Sequence, residues 1–193
     1  MGGMRPRLIP PPKLSPGDRV AVVSPSFAAT AVFPAVHEQS MRRLRTDFGL
    51  EPVEYPTTRR LHAAPRDRAA DLMAAFADPG IAGILATIGG DDQLTVLPFL
   101  DPDLVAANPK PFAGYSDNTN LLNWLWQAGL ASWHGGSTMV HLGRGGGLHP
   151  VSATSLRAAL FGRGDVVLAP APTFSEDEQD WAEPSTLTSF PAE

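Results

Sequence analysis

The stretch Pro111-Phe-Ala-Gly-Tyr-Ser-Asp-Asn-Thr119 sets a serine between a short apolar run and a helical segment at residues 121–128. A serine on a tight strand-to-helix turn has its hydroxyl pushed clear of the sheet, and the neighbouring backbone N–H groups converge on the same point. Ser116 is therefore a candidate nucleophile, to be activated by a base. A serine in front of a helix also serves as an N-cap, so that reading stands beside the first. The turn departs from the esterase signature G-x-S-x-G, because Asn118 stands where the last glycine would be.

Outward from this turn, short apolar runs alternate with helical patterns. Asp18-Arg-Val-Ala-Val-Val23 reads as a strand buried on both faces, and residues 50–55 as an edge strand because of Pro52. Residues 83–88, 111–114 and 131–134 read as further strands. Helices are expected over 34–48, stopped by Gly49, and over 66–78, where Ala69, Leu72, Met73 and Phe76 share a face. Shorter ones are expected at 94–97, 101–107, 121–128 and 152–161. Strands alternating with helices across short loops give an α/β fold, a mostly parallel sheet flanked by helices. Such sheets bind ligands beyond the carboxyl ends of their strands, where the glycine turn after Ile88 and the serine turn both fall.

Gly89-Gly90-Asp91-Asp92 can supply an oxyanion hole, since glycine lets backbone N–H groups of Gly90 or Asp91 approach a reacting carbonyl. It also reads as a plain tight turn in which Asp91 or Asp92 caps the next helix. It lacks the spacing of a P-loop or a dinucleotide fingerprint. Among the five histidines, His134 at a strand end is the one expected to reach the crevice. His141 and His149 flank a flexible glycine loop at 143–147, and no pair has metal-ligand spacing. Trp124, Trp126 and Trp133 are expected mostly in the core, whereas Trp181, in an acidic tail, has little around it to bury against.

At 193 residues and 43% hydrophobic content the chain suits one sizeable core. We divide it into an N-terminal arm at 1–14, an α/β domain at 15–168 and a linker at 169–193. A formal charge of −5 and the lack of a basic stripe argue against nucleic acid as a partner. With no cysteine there is no disulfide framework and no thiol nucleophile. No signal-like or membrane-spanning run is present, so a cytoplasmic location without a membrane partner is the default expectation.

Three ordered motifs, Gly17-Asp-Arg-Val-Ala-Val-Val-Ser-Pro25, Thr87-Ile-Gly-Gly-Asp-Asp92 and Gly114-Tyr-Ser-Asp-Asn-Thr119, resemble the serine LD-carboxypeptidase family over residues 14–181. The middle motif is more similar to the microcin C immunity branch than to the murein-recycling branch. The resemblance implies a flavodoxin-like or class I glutamine amidotransferase-like domain with Ser116 as nucleophile, N–H groups of Gly90 and Asp117 as oxyanion hole, and Gly89, Asp91 and Tyr115 at the substrate. It implies cleavage of an amide in a murein tetrapeptide or a peptidyl nucleotide, without cofactor or metal, by a homodimer. The family's triad is completed by a Glu and a His from a C-terminal domain beyond the tail tryptophan. These 193 residues alone are thus expected to be nearly inactive, and Glu176, Glu178, Glu183 and His134 are poor substitutes. The alternatives are a peptide- or nucleotide-binding module without catalysis, an ordinary esterase, and an interaction fragment.

Overall fold

A computed structural model describes residues 8–167, 170–172 and 179–189. Five strands, β1 (Arg19–Val23), β2 (Glu51–Glu54), β3 (Gly83–Ala86), β4 (Phe112–Gly114) and β5 (Trp133–His134), form one parallel sheet in the order β2-β1-β3-β4-β5. This is the flavodoxin-like order, and the β-branched run of β1 lies inside it, its last four residues buried. Pro52 has no N–H to give to a ladder, and β2 is an edge strand.

Among the described residues six helices cover the sheet: α1 (Ala29–Val32), α2 (Pro34–Thr46), α3 (Pro65–Ala77), α4 (Pro102–Ala107), α5 (Thr119–Gln127) and α6 (Pro150–Phe161). Strand side chains alternate between faces, so Ala21, Val23 and Ile84 pack with Leu72 and Phe76 of α3 and Leu121 and Leu125 of α5. Val20, Val22 and Leu85 go the other way, onto Met41 and Leu44 of α2 and Leu160 of α6. Four of the helices begin with proline, whose fixed φ and missing N–H suit the first helical position. Lys110, 7% exposed, donates to the carbonyls of Ala75 and Asp78 and so closes the end of α3.

The structure departs from expectation where contacts distant in sequence decide. Helix 94–97 is replaced by two 3-10 turns, Gln93–Thr95 and Leu97–Phe99. The four-residue α1 is too short to show a period, and Thr30 anchors it through a hydrogen bond to the Thr58 carbonyl. A π turn, Thr138–Leu142, precedes the glycine loop expected to be flexible. That loop is pinned: Gln39 donates to Gly143 O (3.1 Å) and Arg144 O (3.0 Å), and Arg43 to Leu142 O (2.7 Å).

Residues 8–14 of the expected arm lie against the domain. Ile9 pairs with Leu130, Leu14 is buried, and Lys13 sits 4.2 Å over the Trp133 ring. Trp181 also packs, edge-on to Phe33 at 5.5 Å and in a cluster with Val36 and Met139. Gln179 beside it accepts from Gly145 N at 3.1 Å. Trp126, by contrast, is 48% exposed on α5. Glu176 and Glu178 lie outside the described residues. No helix among the described residues is long and apolar enough to cross a membrane.

His37 is fully buried on α2, with Nε2 3.3 Å from Glu54 Oε2. Burial pushes the imidazole below its usual pKa, and burial does the same to His141. A histidine harder to protonate when folded contributes stability that is present above its unfolded pKa of ~6.5 and lost as pH falls below it. Arg59 beside Glu54, and Arg68 beside Asp92, lower those carboxylates and extend the loss to more acid pH. Thermal melts should therefore show stability falling steadily from pH 7 to pH 4. Melting temperatures constant across that range would contradict this electrostatic reading.

Candidate functional site

β4 ends at Gly114, Tyr115 is extended, and Ser116 opens a 3-10 turn leading into α5. Ser116 has φ +61°, the left-handed region that costs an L-residue about 1–2 kcal/mol. Its side chain is exposed, and its hydroxyl makes no hydrogen bond to any described residue. The capping reading therefore fails, since the N-cap position of α5 is Asn118. The strain aims the hydroxyl outward, away from the helix.

Glycine at 89 and 114 is a steric requirement of this turn. A Cβ on Gly89 would stand 2.9 Å from Ser116 Cβ and 3.0 Å from its Oγ, while one on Gly114 would stand 3.0 Å from Asn118 Cβ. Asn118, where esterases carry glycine, is 1% exposed and ties the two turns together. Its Nδ2 donates to Ile88 O at 3.0 Å, and its Oδ1 accepts from Gln93 Nε2 at 2.6 Å. Gln93 Oε1 in turn accepts from Leu121 N of α5.

The Asp117 carboxylate points beneath the turn. It accepts from Ser26 Oγ (2.5 Å), Gln93 N (2.9 Å) and Asn120 Nδ2 (2.9 Å), so three loops meet on one side chain. Asp92 does not cap the following turn; it forms a bidentate pair with Arg68 at 2.7 and 2.8 Å. Arg68, 4% exposed, also donates to the carbonyls of Pro25 and Ser26. Arg68→Ala would leave those carbonyls unpaired, although Asp92 is half-exposed and would be resolvated. We expect a loss of about 2–3 kcal/mol in denaturant unfolding; a variant as stable as the parent would show that Arg68 does not hold the loops.

Phe27, Ile88, Gly89, Gly90, Asp91, Tyr115, Ser116 and Val140 line one cleft of about 550 Å³. The two turns at strand ends thus share a crevice. The backbone N–H groups of Gly90 and Asp117 are spent on no hydrogen bond to a described residue. Burial pushes the Tyr115 hydroxyl to a higher pKa, leaving it a neutral donor at pH 7. His134 is exposed and lines a separate cavity. His141, in the unforeseen π turn, comes nearer the serine turn, edge-on to Tyr115 at 5.5 Å, but its Nδ1 accepts from Ser137 N at 3.2 Å. Neither imidazole is hydrogen-bonded to Ser116, nor is any carboxylate among the described residues. Among them, too, no three His, Asp or Glu side chains gather where a metal ion would be held. Sequence reasoning missed Asn118, Gln93, Ser26 and Arg68 as the frame of the turn; the asparagine in the glycine position was the one local signal for it.

A left-handed serine at the carboxyl end of a parallel strand, facing a glycine turn, marks an α/β protein with its ligand cleft at the strand ends. The chain belongs to the LD-carboxypeptidase family: the family model of the LD-carboxypeptidase N-terminal domain matches residues 20–135, more than half of it. It is 33% identical over 135 residues to a Vibrio cholerae protein named as a carboxypeptidase, a match covering 67% of this chain and 40% of that one. It is 34% identical over 139 residues to the murein tetrapeptide carboxypeptidase of Pseudomonas aeruginosa, covering 70% and 43%. A shorter match, 42% identical over 71 residues, covers 36% of this chain and 21% of the microcin C7 self-immunity protein of Escherichia coli. The solved structure of a microcin C7 self-immunity protein in complex with aspartyl sulfamoyl adenosine superposes with a TM-score of 0.83 at 27% identity, over 93% of this chain and 55% of that one. The chain thus spans about two fifths of the curated relatives it matches at length.

Proposed function

We propose that residues 15–168 are the nucleophile domain of a serine peptidase that cleaves an amide in murein tetrapeptides or in peptidyl nucleotides of the microcin C type. One observation carries this: the Ser116 hydroxyl is held by a strained left-handed backbone, free of partners among the described residues, beside two N–H groups that no described residue accepts from. Ser116 Oγ attacks the amide carbonyl, the N–H groups of Gly90 and Asp117 hold the oxyanion, and Gly89, Asp91 and Tyr115 contact the substrate. The Ser116 proton passes to a base outside the described residues and then to the leaving amine. Water then releases the acyl group. This chemistry calls on no cofactor, and it fits a cytoplasmic protein acting on small peptides as a homodimer.

The substrate classes are supported by the murein tetrapeptide carboxypeptidase among the relatives and by the aspartyl sulfamoyl adenosine complex among the structures. A second reading, a domain that binds such ligands without turning them over, is favoured by the lack of a base on Ser116 among the described residues. Both substrates should be offered to the protein and to Ser116→Ala, each in a preparation that carries the base, with products read by mass spectrometry and binding by calorimetry. Amide cleavage that disappears in Ser116→Ala supports the peptidase. Binding without cleavage, alike in both proteins, supports the second reading, and neither binding nor cleavage contradicts both.

A further inference from the structure

A second cavity, of about 490 Å³, lies between α6 and the β4–β5 edge of the sheet. Its volume is in the range of small-molecule sites, and its walls are mainly apolar, with Phe48, Leu142 and Leu156 among them. What distinguishes it is the sign of its few polar groups. Lys13, Trp133, His134 and His141 line it, and no Asp or Glu does among the described residues.

Trp133 Nε1 is buried with no hydrogen-bond partner among the described residues. An orphan donor of that kind calls for an explanation, because leaving one unmet costs about 1–3 kcal/mol. His141 accepts from Ser137 N through Nδ1, which places the proton of the neutral ring on Nε2. Lys13 spends one N–H on Ala159 O at 2.7 Å and keeps two more. The cavity therefore offers apolar walls and the Lys13 ammonium, with Trp133 Nε1 just beneath its surface and, among the described residues, no carboxylate to oppose an anion.

We propose that this cavity binds a small amphipathic anion, an alkyl or aromatic carboxylate whose apolar body lies on Phe48, Leu142 and Leu156 and whose head accepts from Lys13 and, after a small shift of the indole, from Trp133 Nε1. The site makes no use of the Ser116 hydroxyl and stands independently of the reading given to it. The rings of His134 and His141 lie 6.4 and 5.5 Å from that of Tyr115, so Tyr115 separates the cavity from the serine cleft.

The test is a titration of the chain with octanoate, followed by the indole N–H resonance of Trp133, assigned from its loss in Trp133→Phe. Octanoate should move that resonance and bind about tenfold or more tightly than octylammonium, which has the same tail and the opposite charge. Trp133→Phe should weaken octanoate about fivefold, and Leu156→Trp or, at a residue that also lines the cavity, Val151→Trp, whichever melts as cooperatively as the parent, should abolish binding by filling the space. The proposal is overturned if octanoate leaves the Trp133 resonance unmoved, if octylammonium binds as well, or if a folded filled variant binds as the parent does.

Discussion

In a preparation that carries the base, Ser116→Ala is expected to lower amide hydrolysis roughly 10³- to 10⁶-fold while leaving substrate affinity and the fold unchanged. The hydroxyl is the group proposed to attack and bonds to no described residue, so its removal breaks no described contact. Ser116→Gly sharpens the test. Ser116 has φ +61°, a conformation glycine adopts freely, so this variant should also be inactive yet more stable by up to about 1 kcal/mol. Activity and stability moving in opposite directions at one position is the signature of strain held for function. Equal loss of both would mark Ser116 as a structural residue. The measurements are initial rates on the peptide and nucleotide substrates, with denaturant melts of the same preparations.

The second large effect is expected at Gly90. A Cβ there would overlap the Ser26 hydroxyl and stand 2.9 Å from Phe27 N, so the glycine turn or the Ser26 loop must give way. Movement of either disturbs the bond from Ser26 to Asp117 that sets the serine turn. Gly90→Ala should cost about 1–3 kcal/mol of stability by overpacking and, in the same base-carrying preparation, about 10²–10³ in kcat by displacing an oxyanion donor. KM should change little, because the donor matters most once charge develops on the carbonyl oxygen. A kcat held within a factor of two in a variant that still folds would remove Gly90 from the oxyanion site.

The parts of this molecule legible in the sequence were those written locally. Val20 to Val23 announce a strand buried on both faces, Pro52 an edge, and Gly114 to Thr119 a strand-to-helix turn. All three lie as read. The legible part of the site was its pair of turns, since parallel topology sends both to the same end of the sheet. Hidden were the groups that set those turns: Asn118 bonding Ile88 O, Arg68 reaching the Pro25 and Ser26 carbonyls, and the π turn that brings His141 to Tyr115. Each depends on a partner far along the chain, and no local period encodes such a pairing. Trp181 misled for the same reason. Its polar neighbours in sequence suggested exposure, while its neighbours in space are Phe33 and Met139.

The central claim is that this fold holds Ser116 as a nucleophile whose base comes from elsewhere. It is tested most directly by reacting the 193-residue chain and its Ser116→Ala variant with a fluorophosphonate and reading intact mass across pH. The account predicts a single adduct on Ser116, absent from the variant. Its formation rate should climb steadily with pH, because hydroxide and not a side chain takes the proton. An adduct on another residue, or none at any pH at which the chain stays folded, would contradict the nucleophile. A rate that levels off near neutral pH would place the base within these residues and contradict its external origin.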